Sequence, residues 1–240
     1  MISMIFDLDD TLYFQKEQFV KAAIKNIGEF GEVDLDRLYE QFQYFSEQAY
    51  IMRERGDITF QEMRIQRIKE AYKAEGIYLS QEECLRWQTD YLYEQAHISL
   101  SPAVEAILDY CHRQPMEMGI ITNGPSDHQR MKLAALGLDR WFSPQQILVS
   151  GDVGVSKPAR KVFDQMATRL SGNPRYYIGD NPVNDVQGAL NAGWLPIWLN
   201  TKGESLANQA GVIEVTDHVE LLACIKAIQT NELSDNSVNP

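Results

Sequence analysis

Residues 1–14 read MISMIFDLDDTLYF, a short apolar run that ends in the acidic turn DLDDT. The run has the length and the composition of a buried parallel strand. The turn crowds the carboxylates of Asp7, Asp9 and Asp10 together, where like charges repel one another. A divalent cation would neutralise such a cluster, and hard oxygen ligands favour Mg²⁺. The stretch therefore predicts a strand that ends in a metal-binding turn.

Four more apolar runs end in polar or glycine-containing turns, as a buried parallel strand does. They are MGIITNG (118–124), QILVSGDVG (146–154), RYYIGDN (175–181) and LPIWLN (195–200). Helical patterns lie between them at 126–136, 159–170 and 184–192, each followed by a glycine suited to a helix C-terminus. This alternation predicts βαβ units and an α/β fold with a Rossmann-like, doubly wound parallel sheet.

Residues 15–95 interrupt the alternation, because their apolar positions recur at helical spacing, with Thr59 and Ser80 as N-cap candidates. We expect an inserted α-helical cap domain over 15–95, with the α/β core formed by 1–14 and 96–230. An insertion after the DLDDT turn would lie at the carboxyl edge of the sheet, where such folds bind ligands. The ending NELSDNSVNP (231–240) is polar and aperiodic, which predicts a disordered tail.

The composition limits the partners of the chain. Its 22 Lys+Arg against 34 Asp+Glu give a formal charge of −12, which opposes binding to nucleic acid polymers or anionic membranes. The three cysteines are far apart and predict neither a disulfide framework nor a metal knuckle. No apolar run has the length of a membrane span or of a signal-peptide core. We expect a cytoplasmic protein, either a monomer or a homodimer.

Polar groups follow the predicted strands at four places: the 7–11 turn, Thr122-Asn123, Lys157 and the stretch GDNPVND at 179–185. In a doubly wound sheet the carboxyl ends of the strands converge on one crevice. Asp7 and Asp180 are the best metal-ligand candidates there, with Asp185 close behind.

A carboxylate beside bound Mg²⁺ can attack phosphorus and form an aspartyl-phosphate that water later hydrolyses. A carboxyl two residues beyond the nucleophile can reach over the same turn to act as the general acid, and Asp9 has that place. The Thr122 hydroxyl, the backbone amide of Asn123 and the Lys157 ammonium are suited to meet the charge on a transferring phosphoryl group.

The ordered set DLDDT, a strand ending in Thr, Lys before Pro, and GDxxxxD resembles the four motifs of the haloacid dehalogenase-like hydrolase superfamily over roughly residues 1–200. The helical insertion is similar to that of members with an α-helical type 1 cap. The resemblance implies that Asp7 is the nucleophile and that Asp9 is the acid/base, with its backbone carbonyl also ligating Mg²⁺. It further implies that Thr122 binds phosphate and that Lys157 stabilises the nucleophile and the phosphate.

The same resemblance implies that Asp180 is a metal ligand and that Asp185 supports the metal site. Dehalogenating members resemble DxYGT and phosphonatases DxAGT at the first motif, so a carboxyl at Asp9 indicates phosphate monoesters instead. The cap segment GDITFQEMRIQR (56–67) is similar to that of nucleotidases and sialic-acid phosphate phosphatases. We expect an Mg²⁺-dependent phosphatase that hydrolyses a small phosphorylated metabolite, a nucleoside monophosphate or a sugar phosphate, through an aspartyl-phosphate.

Other functions stay open at this point. Phosphohexomutases keep the second carboxyl, although their TGxxR-like cap stretch is not found in residues 15–95. Response-regulator receiver domains use similar groups but span about 120 residues, and a non-catalytic protein that binds a phosphometabolite is a third alternative. Arg53 and Arg64 are candidates for substrate specificity, a solvated helix face being the other explanation for them.

Overall fold

The computed structural model describes residues 1–27, 33–205 and 210–238. The chain divides into two compact units, an α/β unit of Met1–Tyr13 with Ser99–Pro240 and a helical unit of Phe14–Ile98. The boundaries predicted from the sequence are 1–14, 15–95 and 96–230.

The described strands of the α/β unit form one parallel sheet in the order β3-β2-β1-β4-β5-β6. The strands are β1 Ile2–Phe6, β2 Met116–Thr122, β3 Ile147–Val149, β4 Arg175–Gly179, β5 Leu195–Leu199 and β6 Ile213–Val215. Every residue of β1 is buried, and Ile5 pairs with Gly119 of β2 and with Tyr177 of β4. The predicted fold class is thereby confirmed, with β1 inside the sheet.

The helical unit contains α1 Gln15–Ile27, α2 Leu35–Glu54, α3 Phe60–Ala74 and α4 Gln81–Gln95. Thr59 and Ser80 form reciprocal capping boxes with Glu62 and Glu83 at the starts of α3 and α4. The buried Trp87 donates its indole N–H to Tyr72 Oη at 2.8 Å. Buried aromatic and aliphatic side chains of all four helices form the unit's own core, among them Phe19, Phe42, Tyr72, Trp87 and Tyr91.

The remaining helices belong to the α/β unit: α5 Pro102–Arg113, α6 Ser126–Ala135, α7 Ser150–Val153, α8 Arg160–Ala167, α9 Gly188–Ala192 and α10 His218–Val238. On one face of the sheet, the Phe163 ring of α8 meets Tyr177 and Trp194 edge-on, with ring centroids 5.2 and 5.3 Å apart. On the other face, Phe6 meets Phe142. Neighbouring residues of a strand point to opposite faces, so the apolar run of β1 reflects burial on both sides.

Two segments depart from the sequence-based expectation. The run at 146–154 ends as a strand at Val149 and continues as the helical turn α7, which packs so close to the chain after β2 that a Cβ on Gly151 would lie 2.7 Å from Gly124 O. The backbone of α10 is helical to Val238, through most of the expected disordered tail. No glycine or proline interrupts residues 218–238, so a helix anchored by buried Leu221 and Ile225 can propagate. Residues 239–240 lie outside the described residues.

Within the described part of the chain, no helix combines the length and the apolar character needed to cross a bilayer.

Candidate active site

Three adjacent strands bring the predicted residues to one edge of the sheet. Asp7 directly follows β1, Thr122 ends β2, and Asp180 directly follows β4. Asp7 N donates to Ile178 O at 2.8 Å, which extends the pairing of β1 with β4 by one residue and fixes the Asp7 backbone. Because parallel strands present their carboxyl ends at the same edge, residues more than 170 positions apart in the chain become neighbours.

The Lys157 ammonium is buried at this edge among acidic side chains. Its Nζ lies 2.7 Å from Asp7 Oδ1 and 2.6 Å from Asp185 Oδ1, and it donates to Tyr177 Oη at 2.8 Å. Tyr177 in turn donates its hydroxyl to Ile121 O at 2.9 Å. Burial opposes the charged form of Lys157, but the two carboxylates outweigh it and raise the Lys157 pKa. The ammonium is therefore permanently charged and fixed in direction.

The Asn123 side chain holds the backbone of Lys157 in place. Asn123 Nδ2 donates to Lys157 O and Asn123 Oδ1 accepts from Lys157 N, both at 2.9 Å. This two-way contact joins the end of β2 to the loop that carries Lys157. The side chain of Asn123 is thus used structurally, and a phosphate contact from this residue would come from its backbone amide, as the sequence predicts.

Asp185 is fixed by the turn after β4. Its Oδ2 accepts from Asn181 N at 2.9 Å, while Asn181 Oδ1 caps the following π-helical turn, Pro182–Gln187, by accepting from Val183 N and Asn184 N. Gly179 leaves room for this carboxylate, since a Cβ there would lie 2.4 Å from Asp185 Cγ. Both oxygens of Asp185 already accept hydrogen bonds, so this residue mainly anchors Lys157 and the turn.

Asp7, Asp180 and Asp185 each offer a carboxylate oxygen within 4.8 Å of the other two. Such a set of hard oxygen donors suits Mg²⁺. Lys202 Nζ, at 3.8 Å, is a distant partner for Asp180 Oδ2. Burial, followed by the charges of Asp10, Asp185 and Asp7, raises the Asp180 pKa well above its usual value. This uncompensated negative charge is what a divalent cation would neutralise, so the residues fit the ion.

Asp7 experiences the same crowding. Burial raises its pKa to about 7, and the charges of Asp185 and Asp9 add to this effect while Lys157 opposes it. A nucleophile must be ionised. A cation beside Asp7 would lower its pKa and so increase the ionised fraction of Asp7 near neutral pH.

The Asp9 carboxylate turns towards α6 and away from the other three. Asp9 Oδ1 accepts from Tyr13 Oη at 2.5 Å and from Lys132 Nζ at 2.6 Å, and Asp9 Oδ2 accepts from Gln129 Nε2 at 2.8 Å. Gln129 Nε2 also donates to Thr122 Oγ1. Burial by itself raises the Asp9 pKa, but the Lys132 charge and the hydrogen bonds from Lys132, Tyr13 and Gln129 outweigh it, and the pKa is lowered. A metal contact from the backbone carbonyl of Asp9 stays a prediction.

Four side chains of this network were not found from the sequence: Tyr13, Gln129, Lys132 and Tyr177. A signal existed for two of them, because Gln129 and Lys132 share a helical stripe with the apolar Leu133 and Leu136, and polar residues on a buried stripe need partners. Asp10 adopts a left-handed backbone, φ 54°. This conformation is unusual for a residue with a side chain and suits a tight turn.

Arg53 and Arg64 lie in the helical unit, on either side of the turn into α3. Their guanidinium carbons lie 5.5 and 4.1 Å from the centroid of the Phe60 ring. Both are cation–π contacts within that unit. Their expected part in substrate specificity stays a prediction.

Comparison with known proteins agrees with this geometry. The pattern of the haloacid dehalogenase-like hydrolase family matches residues 4–198. A phosphoserine phosphatase of Thermus thermophilus is 35% identical over 112 residues, 46% of this chain and 44% of that protein. The chain thus spans less than half the length of this relative. The pyrimidine 5'-nucleotidase PynA of Streptococcus pneumoniae is 27% identical over 92% of this chain and 94% of its own.

A solved structure has the same fold. The magnesium-bound putative hydrolase YfnB from Bacillus subtilis superposes with a TM-score of 0.71 at 22% identity, over 93% of this chain and 97% of its own. At that identity the likeness concerns the fold alone. With the family pattern over residues 4–198 and the four motifs at one sheet edge, the chain belongs to the haloacid dehalogenase-like hydrolase family.

Proposed function

We propose that the chain is an Mg²⁺-dependent phosphatase that hydrolyses a small phosphate monoester through an aspartyl-phosphate on Asp7. The observation that carries the proposal is the Lys157 ammonium between Asp7 and Asp185, with Asp180 beside them. Lys157 thus orients the Asp7 carboxylate within the group of three acids that could bind a cation. The names of the two relatives, a phosphoserine phosphatase and a pyrimidine 5'-nucleotidase, support a phosphatase. We take nucleoside monophosphates as the first substrate class and sugar phosphates as the second.

In the first step an Asp7 carboxylate oxygen attacks phosphorus, the ester P–O bond breaks, and Asp9 gives a proton to the departing oxygen. In the second step a water oxygen attacks phosphorus while Asp9 takes a proton from that water. The bond between Asp7 and phosphorus breaks, and phosphate leaves. Each step returns Asp9 to the state that the other requires.

Lys157 keeps Asp7 in one direction and offsets its charge throughout both steps. Thr122 Oγ1 accepts from Gln129, so the hydroxyl hydrogen is left to donate to a phosphoryl oxygen. Asp7 and Asp180 would hold Mg²⁺, with Asp185 in support. When bound, the ion neutralises charge on the phosphoryl oxygens.

Asp9 must gain a proton before it can act as an acid, because its surroundings keep it ionised. An arriving phosphate adds negative charge nearby, and like charge raises the pKa of a carboxyl. A phosphate monoester also carries a proton below its second pKa, near 6. Below that pKa the substrate can supply the proton, and the charge of the bound phosphate favours the protonated form of Asp9.

The test is phosphate release, with Mg²⁺, from a panel of nucleoside monophosphates, sugar phosphates and phosphorylated acids. Asp7→Asn and a chelator should each abolish release. Asp164→Asn, which removes an exposed carboxylate from α8, is the matched control and should retain it. Mass spectrometry of acid-quenched enzyme should locate a phosphoryl group on Asp7.

Release that persists in Asp7→Asn would contradict the proposal. No release from any compound, with isomerised sugar phosphate in the same tubes, would indicate a mutase instead. Binding of phosphometabolites without any conversion would indicate a regulatory protein. A cytoplasmic location and a monomeric or homodimeric state are further parts of the same proposal.

A further inference from the structure

Two polar side chains of α6 are buried at the site, although neither forms or breaks a bond in the steps above. Gln129 and Lys132 are 1% and 3% exposed, and their i,i+3 spacing puts them on the same helix face. Burial of a lysine is costly unless a counter-charge compensates for it. The counter-charge here is Asp9, whose Oδ1 lies 2.6 Å from Lys132 Nζ. The buried ammonium of Lys132 on α6 is therefore paired with the Asp9 carboxylate.

Gln129 holds the other oxygen of the same carboxylate. Its Nε2 donates to Asp9 Oδ2 at 2.8 Å and also to Thr122 Oγ1. Asp9 and Thr122 are thereby linked through a single amide nitrogen. Gly124 makes room for that side chain, since a Cβ there would lie 3.0 Å from Gln129 Cγ and Cδ. Both carboxylate oxygens are thus held from one helix, which follows directly on the strand that ends in Thr122.

We propose that Lys132, assisted by Gln129, is a positioning residue that fixes the orientation of the Asp9 carboxyl next to the phosphate-binding hydroxyl. This inference rests on the proposed function. A carboxyl on a short side chain can rotate about two bonds, and proton transfer to a leaving oxygen requires a defined direction and distance. Lys132 on Oδ1 and Gln129 on Oδ2 remove this freedom. Loss of orientation in a reacting group, even by about 1 Å, can cost about 10²-fold in rate.

The experiment uses leaving groups that differ in their need for a proton. An alkyl phosphate must receive a proton as its P–O bond breaks, whereas p-nitrophenolate departs without one. The ratio kcat/KM reports the steps up to transfer of the phosphoryl group to Asp7. Lys132→Met should therefore lower kcat/KM by about 10- to 100-fold for the alkyl phosphate. For p-nitrophenyl phosphate the loss should stay below about 3-fold, since general-acid catalysis is not needed there.

A double-mutant cycle with Asp9→Asn gives the second readout. If Lys132 acts through Asp9, then Lys132→Met should cause no further loss for the alkyl phosphate once Asp9 is Asn. Arg130→Met is the matched control, because it removes an ion pair with Asp152 from an exposed position of the same helix. Arg130→Met should leave kcat/KM unchanged for both substrates.

An equal loss for both leaving groups, or additive effects in the cycle, would overturn the inference. Should Lys132→Met fail to fold, as judged by circular dichroism, Lys132→Gln, which keeps a neutral polar group at this buried position, takes its place with the same two expectations. The proposed function fails separately, when the wild type releases no phosphate or when Asp7→Asn retains release. The inference alone would be defeated by a third pattern. In that pattern the wild type is active and Asp9→Asn loses activity mainly towards the alkyl phosphate, while Lys132→Met lowers kcat/KM equally for both substrates.

Discussion

The Asp7 carboxylate should destabilise the metal-free fold, so Asp7→Asn should be inactive and yet more stable than the wild type. Burial and the neighbouring acids raise the Asp7 pKa from 3.8 to about 7. This difference, about 3 pH units at about 1.4 kcal/mol for each, amounts to about 4 kcal/mol. Asparagine has nearly the same shape and no charge to bury. The replacement should recover much of that free energy at pH 8.

The sign of the pH dependence follows from proton binding. Between pH 4 and 7 the folded protein keeps a proton on Asp7 that the unfolded chain has lost, so the free energy of unfolding contributed by this group falls as the pH rises. The loss is complete above pH 7 and absent below about pH 4. The stability difference between Asp7→Asn and the wild type should therefore be near zero at pH 4 and largest at pH 8.

The assay is thermal unfolding of both proteins in a chelator over this pH range, repeated with Mg²⁺. A gain of about 4 kcal/mol corresponds to about 10 °C for a chain of this size. Mg²⁺ should reduce the stability difference between Asp7→Asn and the wild type, because it stabilises the wild type more than a variant that lacks a ligand. A variant that is equally or less stable than the wild type at pH 8 in chelator would refute the reasoning.

Three further changes test the same edge of the sheet and the helical unit. Lys157→Met should lower the free energy of unfolding by about 3 to 5 kcal/mol in urea titrations, since it leaves buried carboxylates unpaired; a loss below about 1 kcal/mol would contradict the ion pairs. Gly179→Ala should cost about 1 to 3 kcal/mol, because its Cβ would overlap Asp185, and unchanged urea stability would contradict this packing. Trp87→Phe, which leaves Tyr72 Oη without its donor, should cost about 1 to 3 kcal/mol, measured by tyrosine fluorescence during unfolding.

The central strands could be predicted because each is an apolar run covered on both faces. Ile5 and Phe6 point to opposite sides of the sheet, and both find aromatic or aliphatic partners. β6, Ile213–Val215, gave no such signal, since its three residues include Glu214 and lie at the sheet edge. A short edge strand forms because the adjacent strand offers backbone hydrogen bonds. The residue pattern of the short segment alone does not indicate that this partner exists.

The site residues likewise fall into those that could be predicted from the sequence and those that could not. Asp7, Lys157, Asp180 and Asp185 stand out because each lies in a loop or turn after a strand, where a parallel sheet collects polar groups. Tyr177 lies within β4, and its pattern matches that of any buried strand residue. Its hydroxyl contacts Lys157 and the carbonyl of Ile121 in β2 only because the folded sheet brings these distant segments together.

The two catalytic candidates of the DLDDT turn are shifted in opposite directions, although they are the same residue type two positions apart. The pKa of Asp7 is raised by burial among other acids, and the pKa of Asp9 is lowered by Lys132 and its hydrogen bonds. For a nucleophile and a general acid, each shift is the reverse of what the first step needs. A cation beside Asp7 lowers its pKa, and a phosphate beside Asp9 raises that of Asp9. On the proposed function, metal and substrate together would therefore favour the reactive protonation states of both residues.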